Sequence, residues 1–405
     1  MPDPSRTDDG AAPAVLAGLV LVALALRPQI AVIGPLSSRI IDDLGVSHAF
    51  VGLLSTIPIL CMGLFAPLGP ALAGRLGTRA AIALAAGTVG LAGVVRAGAG
   101  GEPAILGLTL VIGIATATAG PMLAMFVRGR LPDHRLAGTS AYASGTTLGQ
   151  ALAAGVVVPL AVALGGWRGS LAVVSAVSAG GALAWLALTR NGPAGAEGKP
   201  VAAGGPSPRP HLPVRRPVVW ALGLLFGIQS AVFYGVNAWL PSFYIERGWE
   251  PALAAALVAV SSLAGLVSIV VAPIASRRGL ERRQLLEVAA ASAVIGIVGV
   301  VLAPALAWIW VVVLGAGLGL TFTTVLVLPT DVAADAREAG GASALMLLVG
   351  YLIASAAPFV LGAVRDATGS FALSLWLLLG LAAAMLPLSW ALSPERLRPR
   401  PADGR

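Results

Sequence analysis

Apolar stretches about 20 residues long recur from one end of this 405-residue chain to the other. That is the length an α-helix needs to cross a ~30 Å hydrocarbon core. In lipid the backbone has no water to bond, so such runs fold as helices that satisfy their own polar groups. The runs fall near 13–35, 49–71, 79–97, 103–126, 139–163, 169–189, 217–240, 251–274, 285–304, 306–329, 342–362 and 371–392. Only 11% of residues are charged, whereas a soluble domain uses roughly a quarter to keep its surface in water. The expected fold is therefore an all-α polytopic membrane protein of twelve transmembrane helices.

The first run continues well past the length of a cleaved signal, and Arg6 is outweighed by Asp3, Asp8 and Asp9, so it reads as a first span. The longest polar break, 190–216, is rich in Gly and Pro and reads as a flexible linker between an N-terminal half (1–189) and a C-terminal half (217–392). A short basic tail, 393–405, is expected to be disordered. With the N-terminus inside, twenty Lys and Arg fall in cytoplasmic segments and five in outer loops: Arg39, Arg96, Arg168, Arg247 and Arg365. This asymmetry predicts both termini in the cytoplasm of a bacterial inner-membrane protein. The net charge of +8 is thus a topology signal, and no basic face interleaved with aromatics suggests a nucleic-acid partner.

The halves repeat. A shift of 202 residues lays Arg75 and Gly77 on Arg277 and Gly279, Arg135, Ala137 and Gly138 on Arg337, Ala339 and Gly340, and Arg27 on Gln229. Parallel repeats related about the membrane normal predict the major facilitator fold, two pseudo-twofold-related six-helix halves with a substrate site between them near the midplane.

Specific segments carry a closer likeness. LALRPQIAVIGPL (24–36), PILCMGLFAPLGPALAGRLG (58–77) and AWLPSFYIERG (238–248) resemble the cyanate/nitroimidazole (CynX/NimT-type) branch of the major facilitator superfamily. The resemblance implies an inner-membrane carrier for a small, compact solute. One position departs from the superfamily's signature loop: Gly74 stands where an acid is expected, and Ser276 stands at its repeat partner.

Arg27 carries the strongest chemical signal. Every Asp and Glu can be placed in a loop or at a helix end, which leaves Arg27 as the only charge expected deep in the membrane. Burying it costs ~2.5–3.5 kcal/mol on an insertion scale. A guanidinium without a protein counter-ion suits a planar anion or nitro group; bracing helix 1 through backbone carbonyls beside Pro28 is the alternative. Gln229, Phe233, Tyr234 and Asn237 on the seventh span, Thr321 and Thr324 on the tenth, Gln150 on the fifth and Tyr351 on the eleventh complete the candidate substrate-binding set. By helical periodicity Gln229 and Phe233 share a face, with Asn237 nearby and Tyr234 turned away. Gln229 and Asn237 can equally bond across helices, and the threonines back to their own helix. The glycines 315, 317 and 319 indicate close helix packing, since no Lys-Ser/Thr follows to make a phosphate loop.

Arg75, Arg277 and Asp331 are candidate gating residues that pair across the halves. His48, His134 and His211 all lie in loops and Cys61 is single, so no metal site, cofactor or disulfide is expected. No converging nucleophile, acid or metal set suggests an enzyme. The function expected is alternating-access transport of a small anion or compact polar solute by a monomer, with proton coupling open. The alternatives are multidrug-type efflux of a hydrophobic compound, against which an aromatic share of only 5% counts, and a transporter-like membrane sensor.

Overall fold

A computed structural model describes residues 12–190 and 212–392; most of the expected linker, and the tail 393–405, lie outside the described residues. Sixteen α-helices follow one another among those described. In the N-terminal half they are α1 (Ala12–Leu26), α2 (Pro28–Ala31), α3 (Ile33–Leu44), α4 (His48–Leu64), α5 (Leu68–Leu76), α6 (Thr78–Ala97), α7 (Glu102–Arg130), α8 (Arg135–Ala163) and α9 (Trp167–Leu188). The C-terminal half contains α10 (Pro217–Ile245), α11 (Pro251–Arg277), α12 (Arg282–Leu302), α13 (Ala307–Val325), α14 (Leu328–Val332), α15 (Ala336–Thr368) and α16 (Ala372–Ala391).

Eleven segments are long and apolar enough to cross a membrane, and α4 with α5 makes a twelfth, bent by 71°. That second span was expected to run straight over 49–71. It breaks because Pro67 has no N–H to continue the ladder, and the chain turns at Phe65. The first span was expected to end at residue 35, and instead helix continues to Leu44.

The repeat is visible in the backbone. All six glycines with positive φ among the described residues fall into pairs: Gly45 with Gly248, Gly77 with Gly279, and Gly165 with Gly369. Each pair closes the same inter-helix turn in its half. Gly77 (φ 79°) and Gly279 (φ 85°) hold the turn that the sequence repeat marks, a conformation that costs a residue with a Cβ far more than it costs glycine.

With an even number of spans in each half, the start of α1, the end of α9, the start of α10 and the end of α16 lie at one end of the bundle, from which the linker leaves the described residues. That end is called the linker end here, and the opposite one the far end. Among the described residues, every hydrogen bond between the halves lies at the far end or midway along the bundle. Ser37 on α3 meets Ser242 on α10 at 2.7 Å, and Asp366 on α15 accepts from the backbone N–H groups of His48 and Ala49 on α4. Deeper in, the Thr56 hydroxyl donates to the Ser355 carbonyl and the Tyr234 hydroxyl approaches the Met62 sulfur at 3.9 Å. No hydrogen bond or ion pair joins the halves at the linker end among those residues, so the bundle is latched at the far end and unlatched at the other. Close approach needs small residues: a Cβ on Gly34 would collide with the Asn237 carbonyl, and one on Gly52 would lie 2.5 Å from the Pro358 carbonyl.

Candidate functional site

The site begins with a break in helix 1. Pro28 has no N–H to bond the Leu24 carbonyl, so α1 ends at Leu26 and a new turn starts from Arg27, whose carbonyl accepts from Ile30 at 3.1 Å. The freed carbonyls are not left bare. Thr116 on α7 donates its hydroxyl to the Leu26 carbonyl at 3.3 Å, and Gly149 on α8 packs its backbone directly onto the Leu24 carbonyl. The break therefore projects Arg27 from a backbone held by two other helices of its own half.

Arg27 is only partly buried, whereas Leu26, Pro28 and Gln29 on either side are buried. Its side chain lies beside the hydroxyls of Tyr351 and Tyr234, both from the other half. Among the described residues no carboxylate pairs with it. Tyr351 stacks edge-on against Phe226 at 5.2 Å, and Tyr234 edge-on against Phe233 at 5.2 Å. One cation and two phenols, contributed by both halves and braced by aromatic rings, make a donor-rich cluster where the halves meet.

The other candidates divide. Phe233 and Asn237, one helical turn apart on α10, are both partly exposed and share a face. The Asn237 amide donates to the Phe233 carbonyl at 2.7 Å and keeps its oxygen free of any hydrogen bond among the described residues. Gln229 does not turn toward Arg27: it is buried, donates to the Leu318 carbonyl on α13 at 3.1 Å, and accepts from Ser230. Tyr234, expected to turn away, instead reaches Arg27's surroundings. The periodicity argument took Gln229 as the inward reference, and the helix is rotated about its axis from that assumption.

Thr321 is spent on its own helix, donating to the Gly317 carbonyl at 3.0 Å. Thr324 is buried with a hydroxyl that has no partner among the described residues. Gln150, beside Gly149, is 5% exposed and makes no protein hydrogen bond among the described residues. The glycines of α13 pack as expected, Gly315 against the Ser261 carbonyl and Gly319 against Gly265.

Asp331, expected to pair across the halves, lies 2.9 Å from Arg282 of its own half, an ion-pair contact without hydrogen-bond alignment. Arg75 and Arg277 are exposed at helix ends and pair with no acid among the described residues. Among the described residues no hydrogen bond or ion pair links these three to the opposite half.

Sequence reasoning missed two features. Arg96, assigned to an outer loop, is 1% exposed inside the N-terminal half and bonded to Gln29 and Thr109. Arg27 is therefore not the only cation within the bundle. The second feature is the far-end latch: the imidazole Nδ1 of His48 lies 2.7 Å from Asp366. Its signal was an acid near the end of the eleventh span, and nothing in the sequence said which helix end it would meet.

Residues 19–358 match the Major Facilitator Superfamily. The chain belongs to that superfamily. Over 363 residues it is 28% identical to the 2-nitroimidazole transporter of Escherichia coli (strain K12), with 89% of this chain and 90% of the relative covered. Its identity to the cyanate transport protein CynX of the same organism is 25% over 354 residues, covering 87% and 90%. The crystal structure of a D-xylose–proton symporter superposes with a TM-score of 0.76 over 96% of this chain and 99% of that one, at 16% identity. Family and relatives are transporters and not enzymes, and the all-helical architecture is the superfamily's.

Proposed function

We propose that this transporter carries a small anion or compact polar solute, cyanate-like or nitro-heterocycle-like, by alternating access across the bacterial inner membrane. The observation that carries the reading is Arg27 set between the halves, beside Tyr351 and Tyr234 and without a carboxylate partner. The guanidinium offers a planar fork of donors to a carboxylate, cyanate or nitro group. The phenols add two hydroxyls that donate or accept. The names of the two Escherichia coli relatives support a solute of this class. The charge asymmetry of the loops places both termini in the cytoplasm. The far-end latch is then periplasmic, and the described conformation is the one unlatched on the cytoplasmic side. Arg75, Arg277 and Asp331 would take part in closing that side when the halves rock.

Uptake into proteoliposomes tests the proposal, with cyanate, small carboxylates and 2-nitroimidazole offered to wild type and Arg27→Ala, with and without a pH gradient. Accumulation of one compound by wild type and its loss in a folded Arg27→Ala variant support the assignment. The dependence on the gradient decides proton coupling. Undiminished transport by the variant overturns Arg27 as a substrate ligand.

A further inference from the structure

Arg96 stands near the far end of α6, fully buried, and it faces polar groups that converge on the break in helix 1. Its Nη2 donates to the Gln29 side-chain oxygen at 2.8 Å and approaches the Gln29 carbonyl at 3.4 Å. Its Nη1 donates to the Thr109 hydroxyl on α7 at 3.1 Å, which in turn donates to the Ile105 carbonyl. The Gln29 amide nitrogen donates to the Ser175 hydroxyl on α9 at 2.8 Å, and the Ser175 hydroxyl donates to the Leu171 carbonyl at 2.6 Å. The donors run one way along this chain, from guanidinium to glutamine to serine to backbone. Gln29 is thereby fixed at both ends of its amide, two residues after Arg27.

Room for this arrangement is provided by a glycine. A Cβ on Gly93, one turn before Arg96, would lie 2.5 Å from the Ser175 hydroxyl and 3.0 Å from the Gln29 amide carbon. No carboxylate bonds Arg96 among the described residues, and its Nε has no partner. A cation buried at this cost, with neither an acid to neutralise it nor a route to solvent, is not explained by packing. Its fork is matched to the Gln29 side chain, which ties the short α2 segment to α6 and α9 of the same half.

We propose that Arg96 is a positioning residue: acting through Gln29, it holds the Pro28–Ala31 turn in place and so aims Arg27 between the halves. The inference rests on Arg27 being the substrate ligand for its transport consequence, and on geometry alone for its structural one. Because the fork of two donors is what matters, Arg96→Lys keeps the charge and loses the geometry. Gln29→Met removes the amide while keeping its length.

The test uses the full chain in nanodiscs and in proteoliposomes. Hydrogen exchange of peptides covering residues 24–33 is compared among wild type, Arg96→Lys, Arg96→Met and Gln29→Met. All three variants are expected to exchange at least ~10-fold faster there, with α12 and α13 unchanged. Uptake of 2-nitroimidazole and cyanate is then measured for the same variants. The KM of an Arg27-dependent compound is expected to rise ~10-fold in each, with Vmax changed less. Slow exchange at 24–33 in folded Arg96→Met and Gln29→Met overturns the clamp whatever is transported. Rescue of both readouts by Arg96→Lys, with Gln29→Met silent, also overturns it, since charge alone would then suffice. If neither compound is a substrate of wild type, the functional reading fails and the exchange result still decides the clamp.

Discussion

Asp366 is a helix cap supplied by the opposite half of the protein. The first three backbone N–H groups of α4 need acceptors. Ser47 takes that of Phe50 at 3.1 Å, while Asp366 reaches across from α15 and takes those of His48 at 3.1 Å and Ala49 at 2.9 Å. An ordinary cap stabilises its helix in every state; this one is made only while the far end is closed. Replacing a capping acid by Ala costs about 0.5–2 kcal/mol. The His48 contact adds about 0–1 kcal/mol, because both side chains are partly exposed. Water satisfies part of the freed N–H groups once the halves part, so about 1–2 kcal/mol is the reasonable net figure. At 1.4 kcal/mol per factor of ten, Asp366→Ala shifts the equilibrium toward the far-end-open state about 5- to 30-fold. Ser242→Cys in a Cys61→Ala background is a suitable reporter, since position 242 is 7% exposed and buried against Ser37. The labelling rate of that thiol by a soluble maleimide in nanodiscs should rise by the same factor in Asp366→Ala and by less in Asp366→Asn. An unchanged rate in well-folded Asp366→Ala would show that the cap does not hold the gate.

Gly34→Ala places a methyl group on the Asn237 carbonyl, an overpacking worth about 1–3 kcal/mol; the same thiol should label faster, and transport should fall without loss of expression. Tyr351→Phe removes a hydroxyl but keeps the edge contact with Phe226, so the KM of an Arg27-dependent substrate should rise about 2- to 10-fold, the value of one hydrogen bond, with the unfolding midpoint preserved. Thr324→Val replaces a buried hydroxyl that has no partner by a methyl group of the same shape. Its unfolding midpoint should hold or rise; a clear fall would mean the hydroxyl is bonded in the folded protein.

Fold was legible because lipid leaves the backbone few options: twelve apolar runs and one repeat period suffice to specify two six-helix halves. The turn glycines reinforce this, since Gly77 and Gly279 occupy the same left-handed turn and were paired by sequence offset alone. The site was legible only in its anchor. Arg27 stood out by depth, and Tyr351 and Phe233 by residue type, but Gln229 and Tyr234 exchanged roles because a small rotation of α10 about its axis decides which neighbours face inward. Arg96 was misplaced because it lies two residues before the Gly98–Gly101 stretch, where a basic residue usually marks a loop. Burial there comes from α7 and α9 closing over it, a tertiary fact that hydropathy does not encode.

The two halves share turns and spacing yet differ where the chemistry sits. Position 27 begins a break, and its repeat partner Gln229 sits mid-helix in an uninterrupted α10. A continuous helix spends its backbone groups on itself, so around Gln229 α10 presents side chains. A broken one leaves carbonyls to be covered from outside: in the N-terminal half Thr116 donates to that of Leu26, Gly149 packs on that of Leu24, and Arg96 holds Gln29. Without those contacts the Pro28 break would be a hinge, and a hinge would let Arg27 swing by more than the reach of a hydrogen bond. The N-terminal half thus holds a fixed cation, while the C-terminal half brings Tyr234 and Tyr351 up to it. Tyr234 and Tyr351 approach Arg27 across the same interface that the far-end latch joins, so on the proposed reading substrate contact and gate position depend on one relative placement of the halves. A ligand that needs both the guanidinium and the phenols would, for that reason alone, favour the arrangement in which they meet.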